Sequence, residues 1–113
     1  MICEVSGAKD QDTARTVAKS VICSSLVKTA MFGADANWGR VLCAMGYAGA
    51  EIDVTKADVS FASPAGRVEV CQNGAGIPFS EERAKQVLLE EEIKIDVRLH
   101  DGEAHAEVLL DAT

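Results

Sequence analysis

Ile93-Lys94-Ile95-Asp96-Val97-Arg98-Leu99-His100-Asp101-Gly102-Glu103-Ala104-His105-Ala106-Glu107-Val108-Leu109-Leu110 alternates apolar and polar side chains on either side of an Asp-Gly pair. Side chains of a strand point alternately to its two faces, so each half predicts a strand with one buried face. Asp101-Gly102 is a strong two-residue hairpin turn, because both positions of the favoured turn need φ > 0. That turn sets Leu99 opposite Ala104, Val97 opposite Ala106, Ile95 opposite Val108 and Ile93 opposite Leu110. A slip of one residue would destroy this apolar match, which specifies the register. The other face carries Lys94, Asp96, Arg98, His105 and Glu107. There Asp96 faces Glu107, a like-charge pair that Lys94 and Arg98 flank.

Working back along the chain, Ser80 predicts an N-cap for a helix with Glu81 and Glu82 near the positive end of its dipole. Ala84, Val87 and Leu88 supply its buried stripe, and the run Glu90-Glu91-Glu92 ends it. Asn73-Gly74-Ala75-Gly76 reads as a loop. A second hairpin precedes it, with Ser63-Pro64-Ala65-Gly66 as the turn. A four-residue turn pairs Phe61 with Val68 and Val59 with Val70. Nearer the start, Met1 to Ser6 reads as a short strand ended by Gly7. Ala14, Val17, Ala18, Val21 and Ile22 fall on one helical face, with Asp10 or Asp12 as cap. Leu26 to Phe32 reads as either extended or helical; the alternation of Val27, Thr29 and Met31 favours a strand. Asp35 or Asn37 caps a further helix through Trp38, Val41, Leu42 and Met45, apolar on most sides and expected to be buried. The order is strand-helix-strand-helix-hairpin-helix-hairpin. That predicts an α+β fold, a mostly antiparallel sheet with helices packed on one face, in a single domain over 1–113.

The 113 residues are enough for one core. Apolar residues make up 48% and charged residues 26%. With 18 acidic against 11 basic side chains the net charge is −7. Such a surface repels phosphate backbones and anionic lipid, so neither nucleic acid nor membrane is an expected partner. No apolar run approaches the roughly 20 residues needed to span a bilayer, and no signal peptide is evident. Cys3, Cys23, Cys43 and Cys71 each lie in an apolar context without Cys-x-x-Cys spacing. They read as reduced, buried side chains of a cytoplasmic protein.

Chemistry-bearing patterns are sparse. His100 and His105 flank the last turn without a convergent third ligand, and Arg98, opposite His105, would repel a cation; no metal site is predicted. Gly74-Ala75-Gly76 is followed by Ile77-Pro78-Phe79 rather than directly by a helix, so it reads as a φ > 0 loop and not a phosphate cradle. The segment Asp35-Ala36-Asn37-Trp38-Gly39-Arg40 gathers a carboxylate, an amide, an indole, a glycine and a guanidinium at a helix N-terminus. Its structural reading is a cap, a packed Trp38 and an Arg40 paired with an acid. Its functional reading is the wall of a pocket or a subunit contact, where Trp and Arg are over-represented.

Ser25-Leu26-Val27-Lys28-Thr29-Ala30-Met31-Phe32-Gly33-Ala34-Asp35-Ala36-Asn37-Trp38-Gly39-Arg40-Val41-Leu42 closely resembles a signature stretch of the bifunctional glutamate N-acetyltransferase/ornithine acetyltransferase family of arginine biosynthesis. The likeness continues through Ala44-Met45-Gly46-Tyr47-Ala48-Gly49, Asn73-Gly74-Ala75-Gly76 and Glu90-Glu91-Glu92-Ile93-Lys94-Ile95-Asp96-Val97. It runs from about Cys3 to about Glu107. The resemblance implies a self-cleaving enzyme whose liberated N-terminal threonine takes an acetyl group from N-acetylornithine and passes it to glutamate. A free α-amino group, of pKa about 7.7–8, can act as base for the adjacent hydroxyl. It implies no resident cofactor, with acetyl-CoA open as an acetyl donor in the intact enzyme. It also implies a hetero-oligomer of processed chains, whose remaining alpha and beta segments are the partners.

Met1-Ile2 gives no N-terminal threonine, and the family's Ala-Thr-Met-Leu cleavage motif is absent. The acidic substrate-binding residue of the family's Gly-Glu-Gly-Ala-Thr stretch would fall upstream of Met1. Val108-Leu109-Leu110-Asp111-Ala112-Thr113 departs from the family's polar tail, which brings an Asn and a hydroxyl to the substrate site. The chain is therefore expected to be the C-terminal lobe of the beta chain, with no catalytic residue of its own and no activity alone. Lys28, Asp35, Asn37, Trp38 and Arg40 carry over only as pocket-wall or interface candidates. Two rival readings are a stand-alone assembly module using an exposed apolar face, and a small metal or redox protein using its cysteines and histidines.

Overall fold

The computed structural model describes residues 1–110. Its elements are β1 (Ile2–Ala8), α1 (Gln11–Cys23), α2 (Ser25–Phe32), α3 (Trp38–Gly46), a 3₁₀ turn (Val54–Lys56), β2 (Asp58–Ser63), β3 (Gly66–Gln72), β4 (Ala75–Gly76), α4 (Glu81–Leu88), β5 (Lys94–Arg98) and β6 (Ala104–Leu109). Of the divergent ending Val108–Thr113, the residues Asp111, Ala112 and Thr113 lie outside the described part.

The strands form one sheet in the order β4-β3-β2-β5-β1-β6. It is mostly antiparallel; the β1–β5 pairing is parallel. The helices pack on one face, α1 against β1 and β6, and α4 against β2 and β3. The fold class is thus α+β, as the alternation predicts. Cys3, Val5, Val59, Phe61, Ile95 and Val97 are all buried. Each alternates with a more polar neighbour, which leaves the opposite face to Glu4, Lys94, Asp96, Arg67 and Asp58.

The Ile93–Leu110 hairpin does not form as predicted, because β1 inserts between its two arms. Cys3 pairs with both Ile95 and Val108, and Val5 with both Val97 and Ala106. Two of the predicted pairs, Ile95 with Val108 and Val97 with Ala106, stay level one strand further apart, whereas a register shift in β1 between Val5 and Ala8 sets Ala104 against Ala8 and takes it off the level of Leu99. Alternation fixes which face residues share; it does not say how many strands lie between them. The turn is accordingly different. Leu99 N–H donates to Ser6 O (2.9 Å) and Asp101 N–H to Gly7 O (2.7 Å), so the segment arches over the end of β1. Its positive-φ residue is His100 (φ 57). Asp96 does not face Glu107, since Glu4 stands between them. Arg98 pairs with Ser6 and Asp58, not His105.

The first hairpin pairs Phe61 with Val68 as expected, but a bulge between Val59 and Ser60 moves Val59 onto Cys71. Leu26–Phe32 is helix α2, not a strand. The Ser24 hydroxyl accepts from Val27 N–H (3.2 Å), and Val27, Ala30 and Met31 then fall on one buried side. α3 is less buried than expected: Val41, Ala44 and Met45 face the core, while Cys43 is exposed. Cys3 and Cys71 are buried as predicted; Cys23 and Cys43 are exposed, because each sits on the solvent side of its helix.

Candidate functional site

Asn37, within the signature region, caps α3: its Oδ1 accepts from Arg40 N–H (3.1 Å). Its Nδ2 donates to Asp35 Oδ2 (3.3 Å), so Asp35 braces the cap from the exposed side. Asp35 N–H donates to Ala30 O (2.8 Å), and Ala34 takes a left-handed φ of 53, which turns the chain back between α2 and α3. The Arg40 guanidinium reaches across to Leu26 O (3.1 Å) and so ties the start of α3 to the first turn of α2. It pairs with a carbonyl, not with the acid expected from the sequence. Lys28 is half-buried on α2, and no ion pair forms on it among the described residues.

Trp38 is half-buried and lies against Gly76 of β4, where a Cβ would collide with the indole ring. Two separate stretches that carry the family likeness, Asp35–Arg40 and Asn73–Gly76, therefore meet in space. Gly74 completes the seat. Its φ is +72, and a Cβ there would lie 2.5 Å from Val54 O. Asn73 N–H donates to Asp58 Oδ1 (3.0 Å), and Gly74 N–H to Ala57 O (2.9 Å). The Asn-Gly-Ala-Gly loop is thus a tight turn clamped between β2, the 3₁₀ turn and Trp38.

Lys28, Asp35, Asn37, Trp38 and Arg40 share the α2–α3 junction. None of them lines either of two surface depressions. One, of about 50 Å³, lies on the polar sheet face over Ser60, Arg67, Asp96 and Arg98. The other, of about 550 Å³ and more apolar, is bordered by Met1, Ile2, Pro64, Ile93, Leu109 and Leu110.

The polar sheet face and its rim hold three of the four ion pairs found among the described residues, the fourth being Lys9 with Glu51. Arg67 bridges Asp96 (2.7 Å) and Ser60 Oγ (2.8 Å), Lys94 meets Glu4 (3.0 Å), and His100 meets Asp58 (2.7 Å). Sequence reasoning missed these, because the partners lie on different strands or, for His100, in the loop after β5, and the strand order was not legible. The Lys94 ammonium is held above its ordinary range by its bond to Glu4, with further help from the charges of Asp96 and Glu107. Burial pushes the Cys3 thiol up to about 12, reinforced by the charges of Asp96 and Glu4. Burial likewise raises Cys71. Neither thiol is therefore a ready nucleophile, since the thiolate is the reactive form. No group of three or more metal-ligating side chains converges among the described residues.

The sequence model of the ArgJ family matches residues 1–111. The chain is 48% identical to "Arginine biosynthesis bifunctional protein ArgJ 1" of Clostridium acetobutylicum over 91% of its own length and 25% of that protein. It is 46% identical to the ArgJ protein of Thermotoga neapolitana over 88% of its length and 25% of the relative. The chain thus spans about a quarter of these curated relatives. Its fold is similar to the crystal structure of the ArgJ protein of Bacillus halodurans, with a TM-score of 0.83 and 38% identity. That match covers 94% of this chain and 48% of the solved one.

Proposed function

The chain belongs to the ArgJ family, and from that premise we propose that it is the C-terminal lobe of an enzyme of arginine biosynthesis that moves an acetyl group from N-acetylornithine to glutamate. The observation that carries this reading is 48% identity across 91% of the chain to a relative named as a bifunctional arginine-biosynthesis protein. The fold agrees with that of an ArgJ crystal structure at a TM-score of 0.83.

In this reading the nucleophile is a threonine hydroxyl held by another segment, and these residues are its scaffold. The chemistry of the described residues supports that division. The thiols of Cys3 and Cys71 are held in the unreactive form. His100 is engaged by a carboxylate rather than by a hydroxyl or thiol. The α2–α3 junction, with Lys28, Asp35, Asn37, Trp38 and Arg40, serves as a pocket wall or a contact with the remaining alpha and beta segments. No resident cofactor is called for, acetyl-CoA is an alternative acetyl donor, and the compartment is the cytoplasm. No helix of the described residues is long and apolar enough to cross a membrane.

The test is a chimera in which this chain replaces the corresponding quarter of the Thermotoga neapolitana relative. The chimera is expected to transfer acetyl from N-acetylornithine to glutamate, while the 113-residue chain alone shows no turnover. Turnover by the chain alone would place the nucleophile within it. A folded chimera without activity would remove the proposed role.

The assembly reading keeps one observation of its own. Phe32 is 98% and Tyr47 88% exposed, although the chain has only five aromatic residues. A contact surface would need such rings to join into one apolar patch, since singly exposed apolar side chains are ordinary. In the acetyltransferase reading the same rings face the rest of the enzyme.

A further inference from the structure

We propose that Asp58 and His100 form a pH-sensitive clasp that holds the Asn73–Gly76 turn and the β5–β6 loop together at one end of the sheet. The clasp does not rest on the acetyl-transfer reading. One carboxylate joins the two loops: Oδ2 of Asp58 meets His100 Nε2 at 2.7 Å, and Oδ1 accepts from Asn73 N–H at 3.0 Å. His100 is far from its partner in sequence and sits at φ 57, in the left-handed region, which is uncommon for residues other than Gly and where Asn, Asp and His are the side chains most often found. Bonds on both sides fix the loop, from Leu99 N–H to Ser6 O and from Asp101 N–H to Gly7 O. An unfavourable backbone persists only where its surroundings impose it, and here the imidazole is anchored by the carboxylate.

Histidine is the side-chain type whose charge responds to pH near neutrality. When protonated, the His100 imidazole donates a charge-assisted bond to Asp58. When neutral it keeps the bond only with its proton on Nε2, and it loses the charge. Side-chain exposures of 45% for His100 and 32% for Asp58 leave the pair open to solvent protons. Asp58 remains the anion. Partial burial raises its carboxyl, but the bonds from His100 and Asn73 outweigh that and hold it below its ordinary value.

The surrounding charges are few. Arg98 of β5 also faces Asp58, and its charge helps keep that carboxyl ionised. From β3 come Glu69 and the Cys71 thiol, whose own ionisation the Asp58 charge disfavours. Arg67 and Asp96, in the same depression, are committed to each other. Asp101 and Glu103 belong to the loop itself and are exposed, and Lys9 at the far side of the loop is paired with Glu51. Protonation of His100 therefore tightens a clasp whose other end is the turn that seats Trp38.

Amide hydrogen exchange of Asn73, Gly74 and Asp101 in the 113-residue chain, followed by NMR with the His100 ring signal, tests this. After correction for intrinsic exchange, protection is expected to fall about two- to fivefold as the ring loses its proton, the size of a partly exposed ion pair. His100→Asn tolerates the left-handed backbone and should abolish the dependence, whereas His105→Asn should leave it intact. Protection that does not change as the His100 ring titrates would overturn the clasp. The same pH dependence surviving in His100→Asn would overturn it too. If that variant does not fold, the wild-type comparison of ring and amide midpoints decides alone.

Discussion

Trp38 rests on Gly76, a position with no side chain to share the space, and this contact joins two of the stretches that make the family recognisable. A surface Gly→Ala change at a compatible backbone is ordinarily neutral or mildly stabilising, because it restrains the unfolded chain. Gly76→Ala should do the reverse. The new methyl meets a rigid indole, and overpacking costs about 1–3 kcal/mol. Urea unfolding monitored by far-UV circular dichroism, which does not depend on the Trp38 environment, should show that loss. Trp38→Phe in the same background should recover part of it, and a neutral Gly76→Ala would mean that the indole moves freely. Lys94 gives a second residue-scale expectation. Its folded-state pKa is raised from 10.5 by Glu4 first, then by the charges of Asp96 and Glu107. Its contribution is therefore fully present below pH 10.5 and is lost as pH rises through the folded value. Lys94→Met should lower stability at pH 7 by up to about 1 kcal/mol, discounted for a pair still partly in water. The gap to wild type should narrow in thermal melts run at increasingly alkaline pH.

Helices α1 and α2 meet at a single residue. Ser24 follows Cys23 as the C-cap of α1, with its N–H on Val21 O, and its hydroxyl caps α2 through Val27 N–H. Replacing it with Ala removes the side-chain bond but not the backbone one. Ser24→Ala should thus cost about 1 kcal/mol through α2. Ser25→Ala, at an exposed position with no cap, should be near neutral. Equal effects at the two serines would mean that the α2 cap contributes nothing. The same residue explains why α2 was hidden in the sequence. Val27, Thr29 and Met31 alternate as a strand would, and the competing helix signal was only the cap at Ser24, one residue beyond α1. α1 and α4 were legible because cap, stripe and stop all agree: Asp10 and Ser80 cap, and Val17, Val21, Val87 and Leu88 are buried. The hairpin at the end of the chain was half legible. Its faces and two of its level pairs were written in the alternation, but the insertion of β1 depends on a partner about 90 residues away in sequence. The α2–α3 junction was legible as a motif. Its contact with Gly76 was not, since nothing local links Trp38 to a turn on the far side of the sheet.

Across the whole molecule, large apolar side chains divide sharply between a closed core and an open rim. Phe61 is fully buried beneath α4 and among Val59, Ile95 and Val97, whereas Phe32 at the end of α2 is 98% exposed. Two residues of one type in one small fold therefore make opposite contributions. Phe61→Ala should cost about 3–5 kcal/mol, through lost burial and the cavity left behind. That approaches the whole stability of a domain of this size, roughly 5–15 kcal/mol, so the variant should populate unfolded chain at room temperature. Phe32→Ser should change the unfolding free energy of the isolated chain by less than about 0.5 kcal/mol, because it removes no contact. The segment bearing Phe32 and Tyr47, from Gln11 to Gly49, holds four basic and two acidic side chains, against −7 for the chain as a whole. An exposed aromatic on the one positively biased layer of an acidic protein suits a surface turned toward an acidic neighbour. The chimera described above separates the alternatives. If the remaining enzyme covers this rim, Phe32→Ser should destabilise the chimera by more than about 1 kcal/mol while leaving the isolated chain unchanged. An equal and negligible effect in both would show the ring to be solvated in the enzyme as well, and the contact surface would have to lie elsewhere on the sheet or its edges.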